Sequence, residues 1–171
     1  PLQFNGQYGY STSSTPLSIR NILTDTLLSS AVDPQANLGF KGHPIVIGNL
    51  LIAVGSRFDP GIATYDVSNP TNPILLDVIT SGLDALDTGN NFINEGAYEP
   101  AVWGSYIVYG NQDRDIPQIK VVDFSDPTNL NLVAHITDSS LKAARYQQFQ
   151  DEYLFTGNAK IDMRNFPSCA I

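Results

Sequence analysis

Four groups of side chains in this sequence could do chemistry. His43, Glu99 and the adjacent Arg145 and Tyr146 each stand just before a segment at the start of a repeat. An imidazole, a carboxylate and a guanidinium or phenol gathered at one point could bind a polar ligand or transfer protons. Asp66 and Asp123 occupy equivalent places in two similar stretches and invite a reading as paired carboxylates. Asp84, Asp87 and Asn90 surround Gly89, which allows a sharp turn between oxygen donors; they are weak candidates for Ca²⁺, which needs six to eight oxygens. Arg57, Asp59, Asp113, Arg114 and Asp115 fall in two loops that could form one polar rim.

Other chemistry lacks its signature. The two histidines, His43 and His135, have no metal-ligand spacing, and Cys169 is the only cysteine. There is no Gly-rich phosphate loop and no Gly-x-Ser-x-Gly elbow. No cofactor, no bound metal and no catalytic residue are expected.

The elements that must position these residues come from a repeat. Ile62-Ala-Thr-Tyr-Asp-Val-Ser-Asn-Pro-Thr-Asn-Pro73 recurs as Ile119-Lys-Val-Val-Asp-Phe-Ser-Asp-Pro-Thr-Asn-Leu130. Each copy follows two apolar runs separated by a turn pair, Gly48-Asn49 in one and Gly104-Ser105 in the other. Four short strands per copy, at a period of about 40 to 60 residues, belong to radial β architectures. The expected fold is all-β, with two complete four-stranded propeller blades at 42–98 and 99–145. Part of a third blade is expected at 146–171, where Glu152-Tyr-Leu-Phe-Thr-Gly-Asn158 resembles Ser105-Tyr-Ile-Val-Tyr-Gly-Asn111.

Residues 1–41 do not match the repeat. Gln3 to Thr15 reads as an extended arm or irregular edge strand. Thr15-Pro16 offers a helix start, and Ile19, Ile22, Leu23 and Leu27 follow at helical spacing, so a short helix is expected over 16–30.

In this frame most candidates acquire a structural role. Asp66 and Asp123 end a strand before a turn in which Asn69-Pro70 and Asp126-Pro127 fix the backbone, so the carboxylates are expected to hold corners. His43, Glu99 and Tyr146, with Arg145 beside it, align just before the innermost strand of successive blades and would ring one mouth of a central channel. The aromatics of the later repeats, Trp103, Tyr106, Tyr109, Tyr153 and Phe155 among them, are expected to pack between blades.

The third strands resemble the LVIVD repeat, an apolar pentad ending in Asp followed by Val-Ser-Asn/Asp-Pro. The pentads are Ile62-Ala-Thr-Tyr-Asp66 and Ile119-Lys-Val-Val-Asp123. The resemblance implies a β-propeller of secreted or cell-surface proteins and transfers no catalytic residue.

Composition agrees with a folded chain of low surface charge. Hydrophobic residues make up 42% and charged residues 15%; the net charge is −8. That acidity, with basic residues scattered, disfavours nucleic acid as a partner. No apolar run reaches the length of a membrane span. Two blades and part of a third would leave apolar sheet faces uncovered. The chain is therefore expected to be part of a larger propeller, completed by further blades of the same protein or by other chains, with a homo-oligomer or larger assembly as an option. The leading expectation is a non-catalytic extracellular scaffold or interaction module. The alternatives are a hydrolase or lyase acting through the channel-mouth residues, and a structural subunit of a surface polymer bridged by its N-terminal arm or helix.

Overall fold

The structure is a computed structural model that describes residues 2–12, 17–31, 42–56, 59–79, 99–110, 118–141, 147–157 and 159–166. Among the described residues fifteen strands form four antiparallel meanders, each with its strands in sequence order. Blade 1 holds β1 (Leu2–Asn5), β2 (Tyr8–Ser11), β3 (Leu17–Asn21) and β4 (Thr26–Ala31). Blade 2 holds β5 (Ile45–Ile47), β6 (Leu50–Ser56), β7 (Asp59–Asp66) and β8 (Ile74–Ile79). Blade 3 holds β9 (Ala101–Trp103), β10 (Tyr106–Gly110), β11 (Gln118–Asp123) and β12 (Asn131–Thr137). Blade 4 is described with three strands, β13 (Gln147–Gln150), β14 (Tyr153–Thr156) and β15 (Ala159–Asp162). β1 lies against β5, and β9 against β13, so the first strands of neighbouring blades sit side by side.

The expected helix over 16–30 is not there. β3 and β4 occupy its place, joined by a short turn. The physical reason is that Ile19 lies in β3, Ile22 and Leu23 in the turn and Leu27 in β4, so their helical spacing spans a hairpin and not one element. Ile19 is fully buried against blade 2, whereas Ile22, Leu23 and Leu27 are exposed. The four residues therefore do not share one buried stripe. Residues 2–11 supply the regular hairpin β1–β2.

The same local chemistry recurs in every blade. The first two strands are joined by a two-residue turn with a left-handed first residue. Gly6, Gly48 and Gly104 fill that place at φ 58°, 58° and 56°, and Asp151 fills it at φ 52°. The third strand ends in a residue whose side chain accepts a backbone N–H two residues on. Asn21 takes Leu23 N at 3.0 Å, Asp66 takes Ser68 N at 2.8 Å, Asp123 takes Ser125 N at 2.8 Å, and Asp162 takes Arg164 N at 3.0 Å. Blades 2 and 3 share the bulge that blade 1 has between Ile19 and Arg20, at the same register, between Thr64 and Tyr65 and between Val121 and Val122.

The core lies in the seams between blades. Leu51, Ala53, Ala63, Tyr65 and Val67 pack on Tyr10 and Ile19 of blade 1. Ile52, Val54 and Ile62, on the opposite face of blade 2, pack on Ile107, Tyr109, Val122 and Phe124. Val108, Ile119 and Val121 pack on Leu154, Ala159, Ile161 and Met163 of blade 4. A middle strand covered on both faces must be apolar on both, which explains the unbroken run Leu51-Ile-Ala-Val54. The outermost strand β12 has one face in water, and its exposure alternates strictly.

The blade turns also dock across the seams. Ser29 Oγ donates to Pro70 O at 2.9 Å, and Thr64 Oγ1 donates to Pro127 O at 2.6 Å. Each link joins one blade to the Asn/Asp-Pro turn of the next.

Candidate functional site

His43 and Glu99 approach each other. His43 Nε2 lies 3.5 Å from Glu99 Oε1, and both side chains are partly exposed. His43 leads into β5 and Glu99 into β9, so adjacent first strands bring an imidazole and a carboxylate into ion-pair range. The pair can relay a proton or grip a polar group. Arg145 and Tyr146 lie outside the described residues, as do Asp84, Asp87, Asn90, Arg57, Asp113, Arg114 and Asp115. Among the described residues, no three His, Cys, Asp or Glu side chains group closely enough to hold a metal ion.

Asp66, Asn69, Asp123 and Asp126 act at corners. Asn69 Oδ1 accepts Thr71 N at 3.1 Å and Thr71 Oγ1 at 2.7 Å; Asp126 Oδ1 accepts Thr128 N at 2.9 Å and Thr128 Oγ1 at 2.6 Å. Pro70 and Pro127 present their carbonyls to the preceding blade. Hydrogen bonds from Ser68 hold the Asp66 carboxyl below its usual range, and those from Thr128 do the same for Asp126. Asp66 and Asp123 end β7 and β11, and each closes its own turn.

One polar cluster escaped the sequence reading. The register pair Tyr109–Lys120 in blade 3 occupies the place held by Ser11–Ser18, Ala53–Ala63 and Thr156–Ala159 in the other blades. Tyr109, Lys120 and Gln118 are all buried, and Lys120 pairs across β12 with His135. His135 Nε2 and Gln118 Oε1 share a hydrogen bond. Burial, followed by the charge of Lys120, pushes the His135 pKa down. The available signal was a Lys at the position where each sister strand carries a small residue.

A cleft of about 280 Å3 opens in the seam between blades 1 and 2, on the side of the two-residue turns. Val67 and Tyr10 form its buried floor, and Gln7, Tyr8, Asn49 and Ser68 stand around it.

Among curated proteins none matches this chain in sequence. Solved structures do match in shape. BamB from Moraxella catarrhalis superposes with a TM-score of 0.58 at 13% identity, covering 91% of this chain and 38% of its own. A europium-containing methanol dehydrogenase superposes with a TM-score of 0.56 at 10% identity, covering 80% of this chain and 24% of its own. Both are β-propeller proteins, and this chain spans well under half of either. At such identities the likeness concerns fold alone. The family model for the LVIVD repeat matches residues 58–80 and 101–138, the regions of β7–β8 and of β9–β12. The chain therefore carries LVIVD repeats, set in the blades of a β-propeller fold.

Proposed function

We propose that the chain is a stretch of propeller wall serving as a non-catalytic interaction module, at the cell surface or outside the cell. The observation behind this reading is the outer face of blade 1. Leu2, Phe4, Ile22 and Leu27 are between 44% and 54% exposed there, although the matching faces of blades 2 to 4 are sealed by a neighbour. An apolar blade face exposed in this way fits a further blade of the same protein or another protein chain.

Thiol reactivity tests this in the full-length protein. In a Cys169→Ser background, Phe4→Cys should react with maleimide far more slowly than Ser139→Cys, which sits on an exposed turn. Equal rates would overturn the reading. Alanine at His43, Glu99 and Arg145 should leave the partner bound.

A second reading rests on the 3.5 Å contact of His43 with Glu99. A hydrolase or lyase acting on extracellular polymers could use this pair for acid–base work. Polymer cleavage that disappears in both His43→Ala and Glu99→Gln, with the fold intact, would favour it over the scaffold.

A further inference from the structure

We propose that the cleft between blades 1 and 2 is a binding site for a neutral sugar, lined by Tyr8 and Val67 where the next seam carries Leu50 and Phe124. The comparison is internal to the molecule. Val67 and Phe124 hold the same place, each following the turn-capping Asp and each donating its N–H, to Asn49 O and Ser105 O respectively at 2.8 Å. Tyr8 and Leu50 likewise hold the same place, directly after the two-residue turns. Between blades 2 and 3, Leu50 packs on the cluster containing Phe124 and Leu130. Between blades 1 and 2, Tyr8 packs on the cluster containing the smaller Val67, and a cleft of about 280 Å3 lies beside them.

The cleft is held open by bonds on both sides. Asn5 Nδ2 donates to Gly48 O at 2.9 Å and ties the two hairpins together, while Ser29 Oγ fastens Pro70 at the far side. A site fixed before the ligand arrives loses little entropy on binding.

Its chemistry suits a ligand rich in hydroxyls. Tyr8, half-buried, lines the cleft with its aromatic side chain. The Gln7 amide donates to Tyr8 Oη at 2.9 Å, which leaves its own carbonyl oxygen as an acceptor and the phenol hydrogen as a donor. Asn49 and Ser68 add an amide and a hydroxyl, both exposed. Sugar hydroxyls need donors and acceptors together, and a pyranose ring has an apolar face for a tyrosine. No lining residue carries a charge. The cleft is at the small end of ligand pockets, roughly 300 Å3 and upward, which fits one ring rather than a large cofactor.

The sister seam supplies the variants. Val67→Phe and Tyr8→Leu import residues that blade 3 and blade 2 already use at these positions, and Asn49→Ala trims the rim only. The probes are methyl β-glucopyranoside, methyl α-mannopyranoside and N-acetylglucosamine, with glucuronic acid as the charged control. Protein-detected NMR of the full-length chain should show at least one neutral probe shifting Val67, Ser68 and the Tyr8 ring. Binding should vanish in Val67→Phe and weaken at least about tenfold in Tyr8→Leu and Asn49→Ala. Absence of shifts with every neutral probe overturns the proposal. So does undiminished binding in a folded Val67→Phe or Asn49→Ala, or equal binding of glucuronic acid.

Discussion

Asp77, on the outermost strand of blade 2, accepts the backbone N–H of Leu130 in blade 3 through Oδ2 at 2.7 Å. One carboxylate thus fixes where the Asp-Pro turn of the next blade ends. Close by, Thr64 Oγ1 holds the carbonyl of Pro127 in the same turn. Both ends of that turn depend on the preceding blade, so blade-to-blade spacing is set by hydrogen bonds as well as by apolar contact.

Removing these links should loosen the seam by predictable amounts. A hydrogen bond to a charged group contributes about 1.5–3 kcal/mol, and a neutral one about 1 kcal/mol. Asp77→Ala should therefore lower unfolding stability by about 2 kcal/mol and Thr64→Val by about 1 kcal/mol. The readout is the urea midpoint at unchanged slope. Because both act on one turn, the double variant should lose less than the two separate losses combined.

The two-residue turns give a pair of opposite predictions. An added Cβ at Gly48 or Gly104 meets nothing within 4 Å, so strain at positive φ is the only steric penalty. Alanine at either position should destabilise by about 1 kcal/mol. Asp151 already bears that strain at φ 52°. Asp151→Gly should gain stability, by at most about 1 kcal/mol, because glycine's extra freedom in the unfolded chain offsets part of the relief. Thermal midpoints of the three variants would check both signs.

Acid should unfold the corners in a defined window. The side-chain bonds from Arg164, then its backbone N–H, hold the Asp162 carboxyl at about 2, against an ordinary 3.8. A carboxyl lowered by folding stabilises above its unfolded value, and that contribution fades as pH falls through its folded value. The loss at Asp162 should therefore begin near pH 3.8 and be complete near pH 2. Asp66, Asp126 and Asp138 are also held low by their turn bonds and should steepen the same limb. Replacing Asp162 with Asn should flatten the lower part of a stability-versus-pH curve.

Blades 2 and 3 were legible because their third strands keep both markers, an Asp that caps and an Asn/Asp-Pro turn. Blade 1 was hidden because its turn after Asn21 has shrunk to Ile22–Asp25 and lost the proline, while Asn21 replaces the capping Asp. Ile19, Ile22, Leu23 and Leu27, spread over a strand, its turn and the next strand, then imitated helical spacing. Gly6 between Phe4 and Tyr8 was the surviving clue, since it matches Gly48 between Ile47 and Leu50. The approach of His43 to Glu99 follows from the repeat alignment, whereas the cleft at Val67 does not. The smaller Val67 gains meaning there only once Val67 and Phe124 are known to hold the same place in successive seams.

His135 should make the seam between blades 2 and 3 sensitive to mild acid. Its ring, on the water-facing side of β12, pairs with Lys120 and bonds to Gln118; partial desolvation, then the charge of Lys120, lowers its pKa from the ordinary 6.5. The unfolded chain takes up the proton near pH 6.5, while the folded chain resists until a lower pH. Stability is therefore undiminished above that value and declines as pH falls from 6.5 toward the depressed folded value. His135→Gln keeps a polar partner for Gln118 and removes the titration. Urea midpoints measured from pH 7.5 down to pH 5 should fall in the parent protein and stay nearly level in the variant. Matching declines in the two would show that His135 does not carry the effect.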